Sequence, residues 1–382
     1  MNRSTTHLAF LLTGLALWRL LGSPDGLAGQ VPDDLDGLSD AALFDAACAN
    51  CHGTDGRGVD RALVGFEEPL PDFTDCDFAA REPDSDWIGV AHDGGPARGF
   101  SRMMPAFGEA LTVEQLERVM RYVRTLCTDP SWPRGELNLP RGLLTEKAFP
   151  EDEWVIEADA ALEGDGSVGG AFVYEKRFGP RSQFEVVIPY GWAEVSDASG
   201  SPGAMQWVSG FGDVVLGLKH AAYHSFESGT IFSFGGEVIL PTGDESKGLG
   251  ADGTKVEGFL SFGQILPADG FFQAQAGAEI PLYDGAENEG FGRVLLGRTF
   301  TSGNWGRAWT PMVELQGKRE LEGGAALALD IVPQLQVSLN TRQHVLFNIG
   351  VLVPATETSG RSVRLLAYLL LDWFDGGFFE GW

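Results

Sequence analysis

The spacing of apolar side chains changes once along the chain, from a helical period to a period of two. After Thr112, apolar side chains recur every third or fourth position, as at Leu116, Val119 and Val123, which predicts an amphipathic helix. Beyond about residue 153, apolar and polar side chains alternate, which predicts strands. The pattern therefore indicates a multidomain chain, with an all-α region followed by an all-β region.

The helical region is predicted to cover residues 38–128. Ser39 is placed to cap a helix over residues 41–51, and Thr112 is placed to begin the last helix. The loops between them are rich in glycine, proline and aspartate, as in small domains whose core is largely a cofactor. Residues 129–152 follow with four prolines and little apolar periodicity, so they are predicted to form an extended linker.

The all-β region, residues 153–382, is predicted to be an antiparallel up-and-down barrel of about 12 strands. One segment places Phe272 and Ile280 on one face and Gln273 and Glu279 on the other. Such segments are about ten residues long, which suits a tilted strand that crosses the bilayer of the outer membrane. A soluble β-sandwich or a lipocalin-like barrel has the same period and is the alternative.

Charged side chains at the polar positions of these strands are expected to face the interior of the barrel. The candidates are Glu185, Asp213, Lys219, Glu237, Glu257, Glu279, Glu314, Lys318, Asp330 and Arg364. Such an acid-rich set would favour cations in an open channel. In the alternative, the charges pair with one another across a plugged lumen.

Charge and targeting narrow the location and the partners. The formal net charge is −27 and the sequence pI is about 4.5, which argues against a nucleic-acid partner. Residues 1–28 combine Arg3, an apolar run and small residues around Ala28, which predicts a secretory signal peptide. An uncleaved anchor is the alternative. Later apolar stretches are too short for a spanning helix, so a membrane-embedded part would have to be the barrel.

Candidate chemistry is concentrated in the segment Cys48-Ala49-Asn50-Cys51-His52. Two thiols at this spacing attach one haem c covalently, and the histidine that follows them ligates the iron. A zinc site would need two further ligands nearby. A second axial ligand is expected before the last helix, where Pro105 keeps the loop around Met104 extended. Met104 is therefore the first choice, and Met103 and His92 are the alternatives.

The same region resembles class I monohaem cytochrome c domains. The likeness rests on Cys48–His52 with Gly53, on Asp55–Gly58, on Met104–Gly108 and on the closing helix. It implies one covalent haem c, His52 and Met104 as axial ligands of the iron, and an electron carrier rather than an enzyme. The segment between these two ligands is longer than in the family's pattern.

Two further cysteines, Cys76 and Cys127, are additional to that pattern. An exported protein in an oxidising compartment can join them in a disulfide. Two free buried thiols are the alternative.

A second resemblance covers about residues 155–382. It rests on Phe211–His220, Leu240–Asp244 and Gly248–Gly250, which look like motifs of the family associated with the MetA pathway of phenol degradation. Members of that family are porin-like barrels of the outer membrane. The resemblance implies a location rather than a permeant.

Together these features predict an outer-membrane protein whose periplasmic haem domain exchanges single electrons with a periplasmic partner. An acidic surface would favour a basic partner. The acidic side chains considered are Asp33, Asp34, Asp36, Asp40, Asp45, Asp55, Asp60, Glu67, Glu68, Asp72 and Asp75. The alternative is a porin or transporter with a redox- or ligand-sensing haem domain. An enzyme would need acid and base groups beside an open iron site, for which His92 is a weak candidate.

Overall fold

The computed structural model describes residues 35–65, 70–163, 166–196, 205–303 and 306–373. The predicted signal peptide, residues 1–28, lies outside these ranges, as do Asp33, Asp34, Glu67 and Glu68 of the acidic set. Within them, a helical region precedes a closed antiparallel barrel. Among the described residues, no helix is both long and apolar enough to cross a membrane.

Short helices make up the first region. They are α1 (Asp40–Ala47), α2 (Ala49–His52), α3 (Arg61–Val64), α4 (Cys76–Ala79), α5 (Asp84–Asp93) and α6 (Val113–Arg124). Ser39 caps α1 as predicted, because its hydroxyl oxygen accepts a hydrogen bond from the backbone N–H of Ala42 at 3.2 Å. The helix predicted over residues 41–51 is interrupted at Cys48, which ends α1 and precedes α2. Thr112 begins α6 through a capping box with Gln115.

Helices α1, α5 and α6 enclose the apolar core of this region. The buried core residues are Leu43, Phe44, Ile88, Ala91, Leu111, Leu116, Val119, Met120 and Val123. A disulfide between Cys76 and Cys127 ties α4 to the chain just after α6. The bridged alternative for these two cysteines is therefore the one present in the structure.

The second region is built from antiparallel strands. They are β1 (Asp152–Ala161), β2 (Ser167–Phe178), β3 (Ser182–Ser196), β4 (Met205–Phe211), β5 (Val214–Ser225), β6 (Thr230–Leu240), β7 (Lys255–Leu266), β8 (Gly270–Pro281), β9 (Glu289–Arg298), β10 (Phe300–Thr301), β11 (Ala308–Glu320), β12 (Ala328–Ser338), β13 (Val345–Pro354) and β14 (Arg364–Asp372). Strands adjacent in sequence pair with each other, except β4 with β5 and β9 with β10, and β1 pairs with β14, which closes the barrel.

Two of the crossings are split into consecutive pieces. Strands β4 and β5 both pair with β3, and β9 and β10 both pair with β11. The barrel therefore has 12 crossings, as predicted.

The outer surface of the barrel is apolar, whereas its interior combines many polar side chains with small apolar clusters. On β8, Gln273 and Gln275 are buried, whereas Ile280 is 45% exposed. The same alternation places large apolar side chains on the outer surface around the barrel: Leu216, Leu260, Leu296, Leu315, Leu335 and Ile349. An apolar outer band around a polar lumen is the arrangement of transmembrane barrels, because lipid replaces water on the outside.

The two ends of the barrel differ in the length of their connections. At one end the connections described have three to six residues, as at 179–181, 226–229, 267–269 and 339–344. At the other end the long connections have seven to fourteen residues: 241–254, 321–327 and 355–363. The helical region lies against the end with the short turns, where it contacts the turn 339–344.

Residues 131–151, termed the plug segment, lie inside the barrel. They were expected to belong to an extended linker, and their only regular element is a short 3₁₀ turn, Gly135–Leu137. All of them are buried or half-buried. The segment enters at the end with the short turns and returns to β1 at that same end. It therefore forms a loop inside the lumen rather than a tether through solvent.

Polar groups of the lumen wall bind the backbone of the plug segment. Glu314 accepts hydrogen bonds from the backbone N–H groups of Leu143, Leu144 and Thr145 at 2.8 to 3.3 Å. Gln273 and Arg293 each donate to a carbonyl oxygen of the segment at 2.7 Å. Tyr368 donates to the carbonyl oxygen of Arg141 at 2.8 Å. The buried backbone of the loop is thus satisfied by side chains of the wall, as burial requires.

Candidate haem site

The site begins at the junction of α1 and α2, where one turn of the chain carries Cys48, Cys51 and His52. The backbone N–H groups of Cys51 and His52 both donate to the carbonyl oxygen of Cys48, at 3.2 and 3.0 Å. Cys48 and Cys51 are unbridged and partly buried, whereas the other two cysteines form the disulfide. Burial, together with the neighbouring Cys51, raises the pKa of the Cys48 thiol to about 12. One turn of the chain therefore carries two unbridged, partly buried thiols next to the imidazole.

His52 lies in an apolar environment at the end of α2. Its ring stacks on Phe73 with a centroid distance of 5.0 Å. Burial lowers the pKa of His52 to about 4, so the imidazole is neutral, which is the form that ligates metals. Its Nδ1 atom is buried without a hydrogen-bond partner in the described part of the chain. A polar atom left in this state, beside two thiols, fits a haem site.

The three candidates for the second axial ligand differ in position. Met104 is partly buried and packs against the same apolar cluster as Cys48. Met103 is 48% exposed. The Nδ1 atom of His92 lies 2.6 Å from Oδ1 of Asp93, with which it forms a hydrogen bond. This placement favours Met104.

The backbone around Met104 is held close to the end of α5. Its carbonyl oxygen accepts a hydrogen bond from the N–H of Gly95 at 3.1 Å. A side chain at Gly95 would meet the carbonyl oxygen of Ser101 at 2.2 Å, so glycine is required there. Phe107 donates its N–H to the carbonyl oxygen of Ala91 at 2.9 Å. The loop is thus fixed on both sides of the methionine.

Aromatic side chains complete one wall of the site, and sequence reasoning did not identify them. Phe73 lies 5.4 Å from the ring of Trp87 and 6.4 Å from that of Phe78. The guanidinium of Arg124 lies over the Trp87 ring at 4.3 Å. These residues have no periodic spacing, so only the folded chain brings them beside His52.

The helical region is bound to the barrel by polar contacts at the end with the short turns. Arg98 donates to the carbonyl oxygen of Thr341 at 3.3 Å. Arg342 donates to the carbonyl oxygen of Gly99 at 2.8 Å, and its guanidinium lies 4.4 Å from the ring of Phe100. The two partners of each contact come from different regions of the chain, so this is an interface within one molecule.

Buried charges form the centre of that interface. His344 lies 3.3 Å from a carboxylate oxygen of Glu82 and also contacts Asp372. Arg98 is 4% exposed and lies 3.4 Å from Asp86. Burial raises the pKa of Asp86, and the nearby Arg98 opposes this shift. The centre of the interface is therefore buried, and its acidic and basic side chains neutralise one another.

Comparison with known proteins gives a separate match for each region. Residues 41–127 match the cytochrome c family, and residues 166–348 match the family described as MetA-pathway of phenol degradation. These matches confirm both resemblances seen in the sequence. The first region is therefore similar to cytochrome c domains over these residues and is termed the cytochrome domain. No curated protein matches the chain.

Three solved structures illustrate the likeness of the barrel to outer-membrane proteins. An outer-membrane channel from Pseudomonas putida F1 is 12% identical, with 61% of this chain and 99% of that chain covered and a TM-score of 0.42. The NanC porin is 10% identical, with 57% and 98% covered and a TM-score of 0.40. The KdgM porin is 11% identical, with 58% and 98% covered and a TM-score of 0.36.

Proposed function

We propose that the protein is a c-type cytochrome anchored in the outer membrane, which carries single electrons in the periplasm. The observation that carries the proposal is the turn at residues 48–52. There, two unbridged thiols adjoin a neutral imidazole whose buried Nδ1 atom has no partner among the described residues. When bound, a haem c supplies an iron centre that gains or loses one electron.

In this proposal each residue of the site has a distinct task. Cys48 and Cys51 would hold the cofactor through thioether bonds, and His52 and Met104 would ligate its iron. Phe73, stacked on His52, restricts rotation of the imidazole. The buried and partly buried side chains around them exclude water. One haem per chain follows from one such motif, and the resemblance to cytochrome c domains favours an electron carrier.

The side of the membrane follows from the two ends of the barrel. In outer-membrane barrels the short turns face the periplasm and the longer loops face outward. The cytochrome domain is bound to the end with the short turns. We therefore place the domain of residues 38–128 in the periplasm, with the signal peptide at residues 1–28 directing export. The domain is fixed to the barrel, so its redox partner must diffuse to it.

Only some of the acidic side chains of the cytochrome domain are available to attract a basic partner. Asp40 pairs with Arg118 and Arg121, and Asp60 and Asp75 cap helices. These carboxylates already have partners within the domain. The preference for a basic partner therefore rests on the net charge of −27 and on exposed carboxylates such as Asp45.

The filled lumen disfavours the alternative of an open porin with a sensing haem domain. The plug segment contacts the lumen wall through backbone and side chains along its length. In the proposed function the barrel is an anchor.

The location is tested by cell fractionation with protease. The full chain is produced in a Gram-negative host that matures c-type haem, and haem-stained protein is followed in each membrane fraction. We expect haem in the outer membrane, resistant to protease added to intact cells and cleaved once the periplasm is opened. Haem in the soluble periplasm, or cleavage in intact cells, contradicts the proposal.

The ligand assignment is tested by substitution of each methionine. We expect Met104→Ala to abolish the sulfur-to-iron charge-transfer band of the oxidised protein, because no thioether then reaches the iron. Met103→Ala is the matched control and should retain the band. The opposite pair of results would assign the ligand to Met103.

A further inference from the structure

Three carboxylates meet where the plug segment crosses β2 and β3. Glu175 of β2 and Glu185 of β3 are direct partners in the pairing of these strands. Glu146 of the plug segment lies against them. One carboxylate oxygen from each of the three residues lies within 4.8 Å of the others. Two of these residues belong to the lumen wall and one to the plug, so the group joins the two structures.

The neighbouring cations do not balance the acidic groups. Three cationic side chains make the ion pairs of this region: Arg141 with Glu153, Glu157 and Glu175; Lys147 with Glu151 and Glu153; and Lys219 with Glu146. Five carboxylates therefore share three cations. Glu185 makes no ion pair with any residue that the structure describes.

The directly opposed pair is unfavourable without a further positive charge. Like charges at directly opposite positions of neighbouring strands destabilise a sheet. A buried carboxylate also loses its hydration, which costs several kcal/mol unless a partner replaces it. Glu175 and Glu185 are directly opposed, and Glu175 has no exposed surface, so a bound cation or a proton shared by the two carboxyl groups must compensate them.

A buried carboxylate oxygen of Glu175 indicates what kind of ligand the group binds. Glu175 has no exposed surface, and only its Oε1 atom is used by Arg141, at 3.1 Å. Its Oε2 atom is buried and has no hydrogen-bond partner within the described ranges. A fully buried oxygen with negative charge is thus left beside two other carboxylates. Oxygen donors of this kind are the ligands that hard divalent cations take.

We propose that Glu146, Glu175 and Glu185 bind one Ca²⁺ ion that fastens the plug segment to the barrel wall. Oxygen ligands lie about 2.3–2.6 Å from Ca²⁺, so opposite ligands are about 5 Å apart. The three carboxylate oxygens fall inside that span. Lys219 donates to Oε1 of Glu146, at 2.9 Å, and leaves the other oxygen for the ion. This site is independent of the haem and of the proposed electron transfer.

The ion would act as a cross-link between elements far apart in sequence. Its ligands lie at positions 146, 175 and 185, on the plug, β2 and β3. Loss of the ion would leave the opposed carboxylates to repel each other and the plug. The plug segment would then be held by its remaining contacts with the wall, among them those of Glu314, Gln273 and Tyr368.

The test is a calcium titration of the full-length holoprotein. The protein is purified in detergent, treated with a chelator, and titrated with Ca²⁺ at pH 7.5 in a calorimeter. We expect one ion per chain in the wild type. Glu146→Gln and Glu185→Gln should each weaken binding at least about tenfold, because each removes a charged ligand. Glu279→Gln, in the same lumen but paired with Lys255, is the matched control and should bind as the wild type does.

Correct folding of each variant is checked by its heat-modifiable migration in SDS gels. If a Gln variant does not fold, Glu185→Asp retains the charge but retracts the ligand, and it should also weaken binding. No uptake of Ca²⁺ by the wild type overturns the proposal. Equal affinity of the wild type and the folded Glu185 variants overturns it as well, since the ion then binds elsewhere.

Discussion

The cytochrome domain and the barrel place their apolar side chains on opposite sides. In the domain, Leu43, Phe44 and Leu116 are at most 1% exposed. In the barrel, Glu175 and Glu314 have no exposed surface, whereas many large apolar side chains of the strands lie on the outer surface. Both regions obey the same rule, because apolar side chains avoid water in each. The difference lies in what surrounds them, which is water for the domain and lipid for the barrel.

The polar interior of the barrel requires partners that the domain does not need. Buried polar groups are costly unless they are hydrogen-bonded. In the cytochrome domain, apolar packing around the haem site removes most of that requirement. In the barrel, the plug segment supplies backbone donors to Glu314 and a cation, Arg141, to Glu153 and Glu175. The segment therefore forms the core of the second region, where these polar contacts lie beside apolar clusters around Leu137 and Leu139.

The largest change in the free energy of unfolding is expected from a substitution in the apolar core of the cytochrome domain. Phe44→Ala should destabilise that domain by about 3–5 kcal/mol, because it removes a fully buried ring and leaves a cavity. The measurement is denaturant unfolding of the full chain, followed by the visible absorbance of the haem. Phe234→Ala, whose ring is 49% exposed on the barrel, is the control and should leave this transition unchanged. Equal shifts of the unfolding transition in both variants would contradict this difference between the two regions.

A charge on the outer surface tests what surrounds each region. Leu315→Arg on β11 should destabilise the barrel by about 2–4 kcal/mol, because the guanidinium replaces a side chain in contact with lipid. Leu63→Arg is the matched change in the cytochrome domain, at a leucine that is 82% exposed, and should alter stability by less than about 0.5 kcal/mol. Folding into lipid vesicles measures the first and denaturant unfolding the second. If Leu315→Arg destabilises the barrel no more than Leu63→Arg destabilises the cytochrome domain, lipid does not surround the barrel.

The most local expected effect concerns the polar interior, because it is measured at three amides rather than in the unfolding of a whole region. Glu314→Ala removes the acceptor for three backbone N–H groups of the plug segment, and each unsatisfied donor costs about 1–3 kcal/mol. Amide hydrogen exchange at residues 143–145 should accelerate by at least about tenfold per 1.4 kcal/mol lost. Glu320→Ala, at an exposed carboxylate of the same strand, should leave these amides protected. Unchanged exchange in Glu314→Ala would show that other contacts hold the plug.

Local patterns were sufficient for the elements and for part of the site. The alternation of Gln273 and Ile280 predicts a strand whatever lies on either side of it. Ser39 and Thr112 cap their helices through contacts within four residues, so their roles are readable from short segments. The cysteines and the histidine of residues 48–52 lie on one turn, and their spacing alone predicts the haem.

Contacts between distant residues were beyond such patterns. Phe73 stacks on His52, and Trp87 packs on Phe73, without any spacing that signals it. Residues 129–152 have the composition of a linker, since prolines exclude regular structure whether a segment lies in water or in a lumen. Their burial depends on acceptors such as Glu314, which is about 170 positions away.

The sequence by itself determined the two regions, the number of strands and the cysteine–histidine turn, because each follows from local periodicity and spacing. Only the tertiary structure decided that the plug segment fills the barrel, that Glu146 meets Glu175 and Glu185, and that the cytochrome domain is bound to the end with short turns. These features rest on pairs of charges and hydrogen bonds between residues far apart in the chain. Such pairs form only once strand register and closure of the barrel have fixed which side chains face each other.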